Sequence, residues 1–507
     1  MKGLQVLLLG VVALLGRAET PAADRPTRPV SLAECLQLAL QHNLQLQIAR
    51  QQPELARFTL SGGYGVYDPV LRVNAGRTYD NEPLDLDPKK AGYDSPYRQS
   101  GEYLGSGLRG MLPTGLSYDL TGSGQSLMTD SLIYNNNGTP AYPRHTNQAD
   151  VAAAITLRQP LLKDFWIDQP RYEIQVNKKN LKIAELALLQ QMMNIVTKTE
   201  VAYYDLILAR EQIGVQEMAL AQARQLLAEN QRRVQMGMLP PAGEQDAAAE
   251  VETAQANLLA AQFAFASQQN ILKGLIGDDF RRWADVRLDP SDVLGAVETP
   301  LQRRECWDRA LEQRPDIRQF RLELEKQNLQ VRYRFNQLFP SLDVVGSVGG
   351  RAVDSTFGDA FAQLGDFSYP QYSYGVVLSY PLSNRAARSA YHAGETERTT
   401  AELRLKQLEQ DILIQVDDAV NFVETAFRRV SATRQARTYA EAALAAEQRK
   451  LQNGESTSFV VLEMLNRLTA SRGAESRALT DYHKALAQLA FAEGSSLERN
   501  RLDVKFK

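Results

Sequence analysis

Four histidines and two cysteines are the side chains of this 507-residue chain best suited to holding a metal or attacking a substrate. Their placement suits neither task. His42, His145, His392 and His483 fall in separate segments without the paired spacing of a zinc site, so each is expected to be a solvated surface residue. There is no glycine-rich phosphate loop and no nucleophile elbow. Fifty-seven Lys and Arg against 60 Asp and Glu leave a net charge of −3 and no long basic tract, which argues against nucleic acid. No enzyme, metal site or cofactor is expected, so the elements must explain the chain.

Those elements occur twice. Glu34-Cys35-Leu36-Gln37-Leu38-Ala39-Leu40 returns as Glu305-Cys306-Trp307-Asp308-Arg309-Ala310-Leu311, and 305 − 34 = 271. Pro69 and Pro340 keep the same offset of 271. Between Pro160 and Pro381 it has fallen to 221, so the first copy carries about 50 additional residues between Pro69 and Pro160. Arg233-Val234-Gln235-Met236-Gly237 then matches Lys450-Leu451-Gln452-Asn453-Gly454 at 217, a further loss of about one helical turn that keeps the buried face in phase.

Met1 to Ala18 has one early basic residue, Lys2, an apolar run from Leu7 to Leu15 and small residues at its end, the pattern of a secretory signal at 1–18. No later segment approaches the roughly 20 apolar residues of a membrane helix, so membrane insertion would have to use strands. Two cysteines in an exported chain suggest a disulfide. Cys35 and Cys306, however, hold equivalent places on apolar helix faces, and each is read as a small buried hydrophobe.

From Arg171 to Val234 the only helix breaker is Gly214, and Leu181, Leu188, Ile195, Ala202 and Ala209 recur every seven residues. Leu405, Leu408, Ile412, Val416, Ala419, Val423, Phe427 and Val430 do the same work in the second copy. Each long helix is followed by a glycine turn and a shorter returning helix, predicted near Glu244 to Lys273 and Phe459 to Glu493. The preceding stretches alternate instead. Leu71, Val73, Ala75 and Tyr79, then Val151, Ala153, Ile155 and Leu157, then Leu342, Val344 and Val348, then Tyr372, Tyr374, Val376, Leu378 and Tyr380 each define one apolar strand face. Runs of about 10 to 12 residues suit tilted membrane strands. Four strands cannot close a barrel alone, so subunits must share one.

At this level the chain resembles the TolC-like outer-membrane efflux proteins. The resemblance rests on Ser31-Leu32-Ala33-Glu34 with Ala39-Leu40 and Asn43, on Arg314-Pro315-Asp316-Ile317, on Phe339-Pro340-Ser341-Leu342, and on Gln159-Pro160-Leu161-Leu162, in that duplicated arrangement. It implies a mainly α fold with membrane β: a duplicated channel-tunnel, in which a trimeric outer-membrane β-barrel is continued by a long periplasmic α-helical coiled-coil barrel. The first repeat would span 31–290, with barrel strands at about 70–162 and a helical hairpin at about 171–275. The second would span 300–493, with strands at about 341–383 and a hairpin at about 385–493, before a tail at 494–507. A mixed equatorial region is expected from Ala284 to Thr299 plus that tail.

The implied function is passive conduction in a tripartite efflux or type I secretion system. The partners would be two further copies of the chain, a periplasmic adaptor (membrane fusion) protein, an inner-membrane pump and outer-membrane lipid. The resemblance maps adaptor contact onto the hairpin tips, Val234, Gly237, Met238 and Leu239 in the first copy and Leu451, Gly454, Ser456 and Thr457 in the second. Gly237 and Gly454 also have a purely conformational reading, since a helical hairpin needs a glycine to turn. The periplasmic aperture maps onto Glu244, Asp246, Val460 and Glu463, where a ring of three Glu463 carboxylates would attract cations and Leu451 and Val460 would pack. An extra hairpin, Tyr103 to Leu112 and Leu116 to Gly124 around Pro113-Thr114-Gly115, has no counterpart in the second copy. It is expected outside the barrel, giving 12 strands per trimer; were it to join, there would be 18. The competing reading is a periplasmic coiled-coil rod or adhesin with a soluble β-sandwich.

Overall fold

A computed structural model describes residues 27–82, 94–134, 140–237 and 240–502. The expected export signal, Asn135-Asn136-Asn137-Gly138, Met238, Leu239 and the end of the tail lie outside the described residues. The first copy begins with β1 (Thr27–Val30), α1 (Leu32–His42), α2 (Leu44–Gly63) and β2 (Val70–Asn81). β3 (Asp94–Met111), β4 (Ser117–Tyr134) and β5 (Pro140–Pro160) precede α3 (Gln169–Gln235), α4 (Pro241–Ile276), α5 (Phe280–Trp283) and β6 (Arg287–Pro290). The second copy has α6 (Arg303–Gln313), α7 (Pro315–Asn336), β7 (Ser341–Asp354), α8 (Phe357–Gly365), β8 (Pro370–Ser379), α9 (Arg385–Gln452), α10 (Ser458–Glu493) and α11 (Ser496–Arg499). No helix among the described residues is long and apolar enough to cross a membrane.

The chain forms two compact units. One comprises the described parts of Met1–Gln47, Met192–Cys306 and Gln415–Lys507. Its core joins Ile195, Ala202, Tyr203, Leu206 and Ala209 of α3 to Cys35 and Ala39 of α1, Phe265, Leu272 and Ile276 of α4, and Leu288 of β6. The seven-residue seam is therefore buried from Leu188 to Ala209, with Leu181 half-buried. α1 starts where Ser31 Oγ accepts the Glu34 amide at 3.3 Å. It ends at Asn43, whose side chain accepts the Leu46 amide at 3.1 Å and donates to the Leu275 carbonyl at 3.0 Å. Both cysteines are buried thiols. Burial, with Glu34 nearby, pushes the Cys35 thiol up to about 12, which keeps it an inert core side chain.

The residues around Arg287–Pro290 hold a short parallel pair that periodicity does not reveal, β1 with β6 from Thr27↔Arg287 to Val30↔Pro290. Tyr203 pins it, its hydroxyl donating to Asp292 Oδ2 at 2.7 Å and sharing that one hydrogen with the Val30 carbonyl at 3.0 Å. His483 differs from the expected solvated histidine. It is half-buried, 5.2 Å from the Tyr204 ring and 2.9 Å from the Gly295 carbonyl, and burial holds its pKa below the usual histidine value. His42, His145 and His392 instead pair with Asp278, Asp130 and Glu395 at the surface.

The other unit, Ile48–Gln191 and Trp307–Ile414, carries the six remaining strands among the described residues. They form one antiparallel sheet in the order β2-β3-β4-β5-β7-β8. The expectation of four strands is thus corrected: the extra hairpin lies inside the sheet, β3 registered on β2 from Arg109↔Val70 to Arg98↔Asn81 and β4 on β5 from Ser117↔Arg158 onward. The physical reason is that a strand pair carrying an apolar face of its own, Leu104 and Leu108 with Tyr118 and Leu120, belongs beside strands with the same face. The two copies join where β5 pairs β7 from Ala149↔Asp354 to Pro160↔Asp343.

Direct partners in such a ladder share a side. One face therefore gathers Leu71, Leu108, Leu120, Ile155, Val348 and Tyr372 in a single row. Its large apolar residues are exposed, Tyr374 at 86%. The opposite face is polar: Arg158 binds Asp343 at 2.6 Å, Arg351 binds Asp150, and Thr156 donates to Ser347 at 3.1 Å. Among the described residues, β2 and β8 each end the sheet with an unpaired edge.

Candidate functional site

The hairpin tips belong to the first unit. α3 closes with the Gly237 amide donating to the Val234 carbonyl at 2.9 Å, and Gly237 sits at φ +74°. Pro240 is extended, Pro241 begins α4, and Glu244 lies in its first turn, where a carboxylate favours the helix dipole. Glu244 also accepts from Gln231 Nε2 at 3.3 Å. The second turn follows the same plan. Gly454 at φ +80° donates to the Leu451 carbonyl at 3.2 Å, and the Glu455 amide returns to the Lys450 carbonyl at 2.8 Å. This is the left-handed helix end that glycine adopts without strain. Thr457 then precedes α10, and the Ser456 hydroxyl donates to Glu447.

The two hairpins are stitched together immediately behind these turns. Asn230 of α3 is fully buried and both ends of its amide are used: Nδ2 donates to the Gly243 carbonyl at 2.9 Å, and Oδ1 accepts from Ser458 Oγ at 2.7 Å. Arg233 Nη2 donates to the Leu451 carbonyl at 3.2 Å while its Nε pairs with Glu229 at 3.0 Å. Under them Leu226, Leu444, Leu451, Val461, Leu465 and Leu468 form an apolar cluster. Farther along, Glu441 is bound by Arg437 and Arg472, each at 3.0 Å, and Glu475 by Arg437 and Arg434. The Arg472 and Arg437 hydrogen bonds hold the Glu441 carboxyl below the usual carboxylate range.

Of the residues predicted from sequence, Gly237, Gly454, Thr457, Asp246 and Glu463 are exposed, and Val234, Glu244, Ser456 and Val460 are half-buried. Leu451 departs from expectation. The residue is 6% exposed and packs into the chain's own cluster, because it continues the seven-residue step from Leu444. Only its carbonyl is used at the turn. Met238 and Leu239 lie outside the described residues. Sequence reasoning does not single out Asn230, Arg233 as a donor, or Ser458. A signal exists for Asn230: it follows Ala202, Ala209 and Ala223 on the same seven-residue spacing, and a polar residue at a seam position fixes register. Among the described residues no cluster of His, Cys, Asp or Glu could hold a metal ion.

A family model described as outer membrane efflux protein matches residues 131–278 and 307–495. No curated protein sequence matches the chain. Among solved structures, CusC superposes with a TM-score of 0.66 at 16% identity, over 91% of this chain and 92% of that one. The CmeC outer membrane channel of Campylobacter jejuni gives 0.65 at 15% identity, over 92% and 86%. The outer membrane protein VceC of Vibrio cholerae gives 0.64 at 18%, over 91% and 96%. These likenesses are of fold.

Proposed function

This chain belongs to the outer membrane efflux protein family and is an outer-membrane efflux channel, and from that premise we propose that it acts as a homotrimer whose three sheets close one barrel of 3 × 6 = 18 strands. The observation that carries this reading is the sheet itself, greasy on one face, polar on the other, and open at β2 and β8. An open edge in hydrocarbon leaves backbone groups without partners, so β8 of one copy must meet β2 of the next. The polar face, with Arg158, Asp343, Arg351 and Asp150, then lines the water-filled passage.

The helical hairpins of three copies enclose the periplasmic passage. Transport needs no bond-making here: solutes move passively from an inner-membrane pump and periplasmic adaptor to the exterior. The exposed tip surface around Gly237, Gly454 and Thr457, with Val234 and Ser456 at its margin, receives the adaptor. Leu451 supports it from beneath through the buried cluster. Glu463 and Asp246, both exposed, with Glu244 and Val460 beside them, line the aperture, where three copies of each acid attract cations.

Purified in detergent, the protein is expected to run as a trimer and to conduct in a planar bilayer with divalent cations blocking from the periplasmic side. Glu463→Ala should relieve that block at least several-fold. Block that is unchanged in the variant removes the acidic aperture, and a water-soluble monomer removes the barrel.

A further inference from the structure

Where the first copy inserts a strand hairpin, the second inserts α8, and α8 folds back over the apolar face of the sheet. Ala360 is completely buried against Ala149 and Val151 of β5, with Phe357 and Leu364 packed beside it. Gly124 of β4 makes room for Phe357: a Cβ there would lie 2.9 Å from the ring. The helix is fixed at its start by Thr356, which accepts the Asp359 amide at 3.3 Å and donates to its carboxylate at 2.6 Å.

The level at which α8 lies is informative. The apolar face of β7 runs from Leu342 to Ala352, about 34 Å along the strand at roughly 3.4 Å per residue, or about 26 Å of depth at a tilt near 40°. That matches the apolar band of a membrane barrel, about 25 Å tall. One row farther out the same face turns polar, with Arg77 and Glu102 paired at 3.8 Å and Asp354 on β7. The opposite ends of the strands join α2, α7 and α3. α8 therefore straddles the boundary between hydrocarbon and headgroups on the exterior side.

Between α8 and strands β2 to β5 lies a cavity of about 600 Å³. Phe361 of α8 overhangs it, Ala75, Leu104, Ser106 and Ala153 form its floor, and Arg77 and Glu102 stand at its polar end. The volume is that of a small-molecule site, but it sits on the face the barrel turns to lipid. A second observation points the same way. Phe367, just after α8, holds φ +50°, a left-handed conformation that strains a bulky residue, and the residue is 53% exposed, with Tyr369 exposed beside it. Aromatic rings at this depth suit the headgroup interface.

We propose that the cavity under α8 is a lipid site, taking one acyl chain of an outer-leaflet lipid beneath Phe361 with the polar headgroup beside Arg77 and Glu102. The inference rests on the apolar face being the lipid-facing one. It makes α8 a clip that holds an annular lipid on each subunit, away from the conducting passage.

The test uses the full-length trimer reconstituted into nanodiscs of palmitoyl-oleoyl phosphatidylethanolamine, released into detergent and weighed by native mass spectrometry. Wild type is expected to retain up to three lipids per trimer through washing. Ser106→Phe and, independently, Ala153→Phe fill the floor with apolar atoms and should reduce retention at least five-fold while trimer mass and bilayer conductance stay at wild-type values. Equal retention in wild type and both variants, or recovery of detergent in place of lipid in wild type, overturns the proposal and leaves the channel reading standing. Loss of the trimer in wild type would strike the channel reading instead.

Discussion

The two copies match to within two residues in the lengths of their paired helices and part company in their strands. α1 and α6, α2 and α7, and β2 and β7 all begin 271 residues apart, as in 303 − 32. α4 and α10 begin and end 217 apart, as in 493 − 276. Between these fixed points the first copy contributes four strands and the second two plus α8. A helix inserted out of phase would rotate its buried stripe away from its neighbours, so the helical lengths are tightly constrained. A strand hairpin, in contrast, leaves by β3 and returns by β4, so β5 still delivers the chain to the same end of the sheet as before. The sheet therefore tolerates growth in pairs of strands and in no other unit.

The strongest way to break that comparison is to make the copies equal. Deleting residues 94–134 removes β3 and β4 and lets β2 pair directly with β5, as β7 pairs with β8. The trimer should still assemble, now with 12 strands. Because barrel diameter grows roughly linearly with strand number, the barrel should narrow by about a third, measured by electron cryomicroscopy of wild type and variant side by side. An unchanged diameter would mean that the hairpin is not part of the barrel wall.

A second contrast lies at the tips. Arg233 and Lys450 hold equivalent places, 217 apart, yet Arg233 reaches across to the Leu451 carbonyl, whereas Lys450 pairs with Glu447 on its own helix at 3.1 Å. Arg233→Ala should cost about 1.5 to 3 kcal/mol of tip stability, the usual worth of a hydrogen bond from a charged donor. It should raise spontaneous opening several-fold in single-channel records. Lys450→Ala, which loses a pair made within its own helix by a solvent-exposed ammonium, should leave stability and opening close to wild type. Equal effects would show that the cross-hairpin bond does not hold the tip.

The fold is largely legible because its signals are periodic. A seven-residue seam and a two-residue alternation each report which side of an element is buried, and the repeated Glu-Cys and Pro positions reveal the duplication through their spacing alone. Strand number is misread for a definite reason: comparison between copies penalises an insertion, while the insertion's own alternation at Leu116, Tyr118 and Leu120 argues for a place in the sheet. The short β1 and β6 pair has only four residues a side, too few for a period. Leu451 and Asn230 show the limit at the tips. Exposure there depends on which hairpin faces which, and a seam position occupied by Asn is visible only once the neighbouring alanines are known to be buried.

The smallest effect separates the two hairpins by pH. α9 and α10 are joined by Glu441 and Glu475 with Arg434, Arg437 and Arg472, whereas α3 and α4 are joined by Arg224 to Gln255 at 3.2 Å, by Asn230, and by Gln231 to Glu244. The Glu441 carboxyl is held below its ordinary range, first by the Arg472 hydrogen bond and then by Arg437. A depressed carboxyl contributes stability above its unfolded pKa and loses it as pH falls through the lower folded value, so the loss begins below about pH 4. Each half-exposed pair is worth at most about 1 kcal/mol in water. Hydrogen exchange corrected for intrinsic rates should therefore show α10 losing a few-fold in protection between pH 5 and pH 3 while α4 holds. Glu441→Gln should flatten the α10 response and lower its protection at pH 5, because the neutral amide cannot serve two guanidinium groups as the carboxylate does. Parallel losses in both hairpins would place the acid sensitivity outside this network.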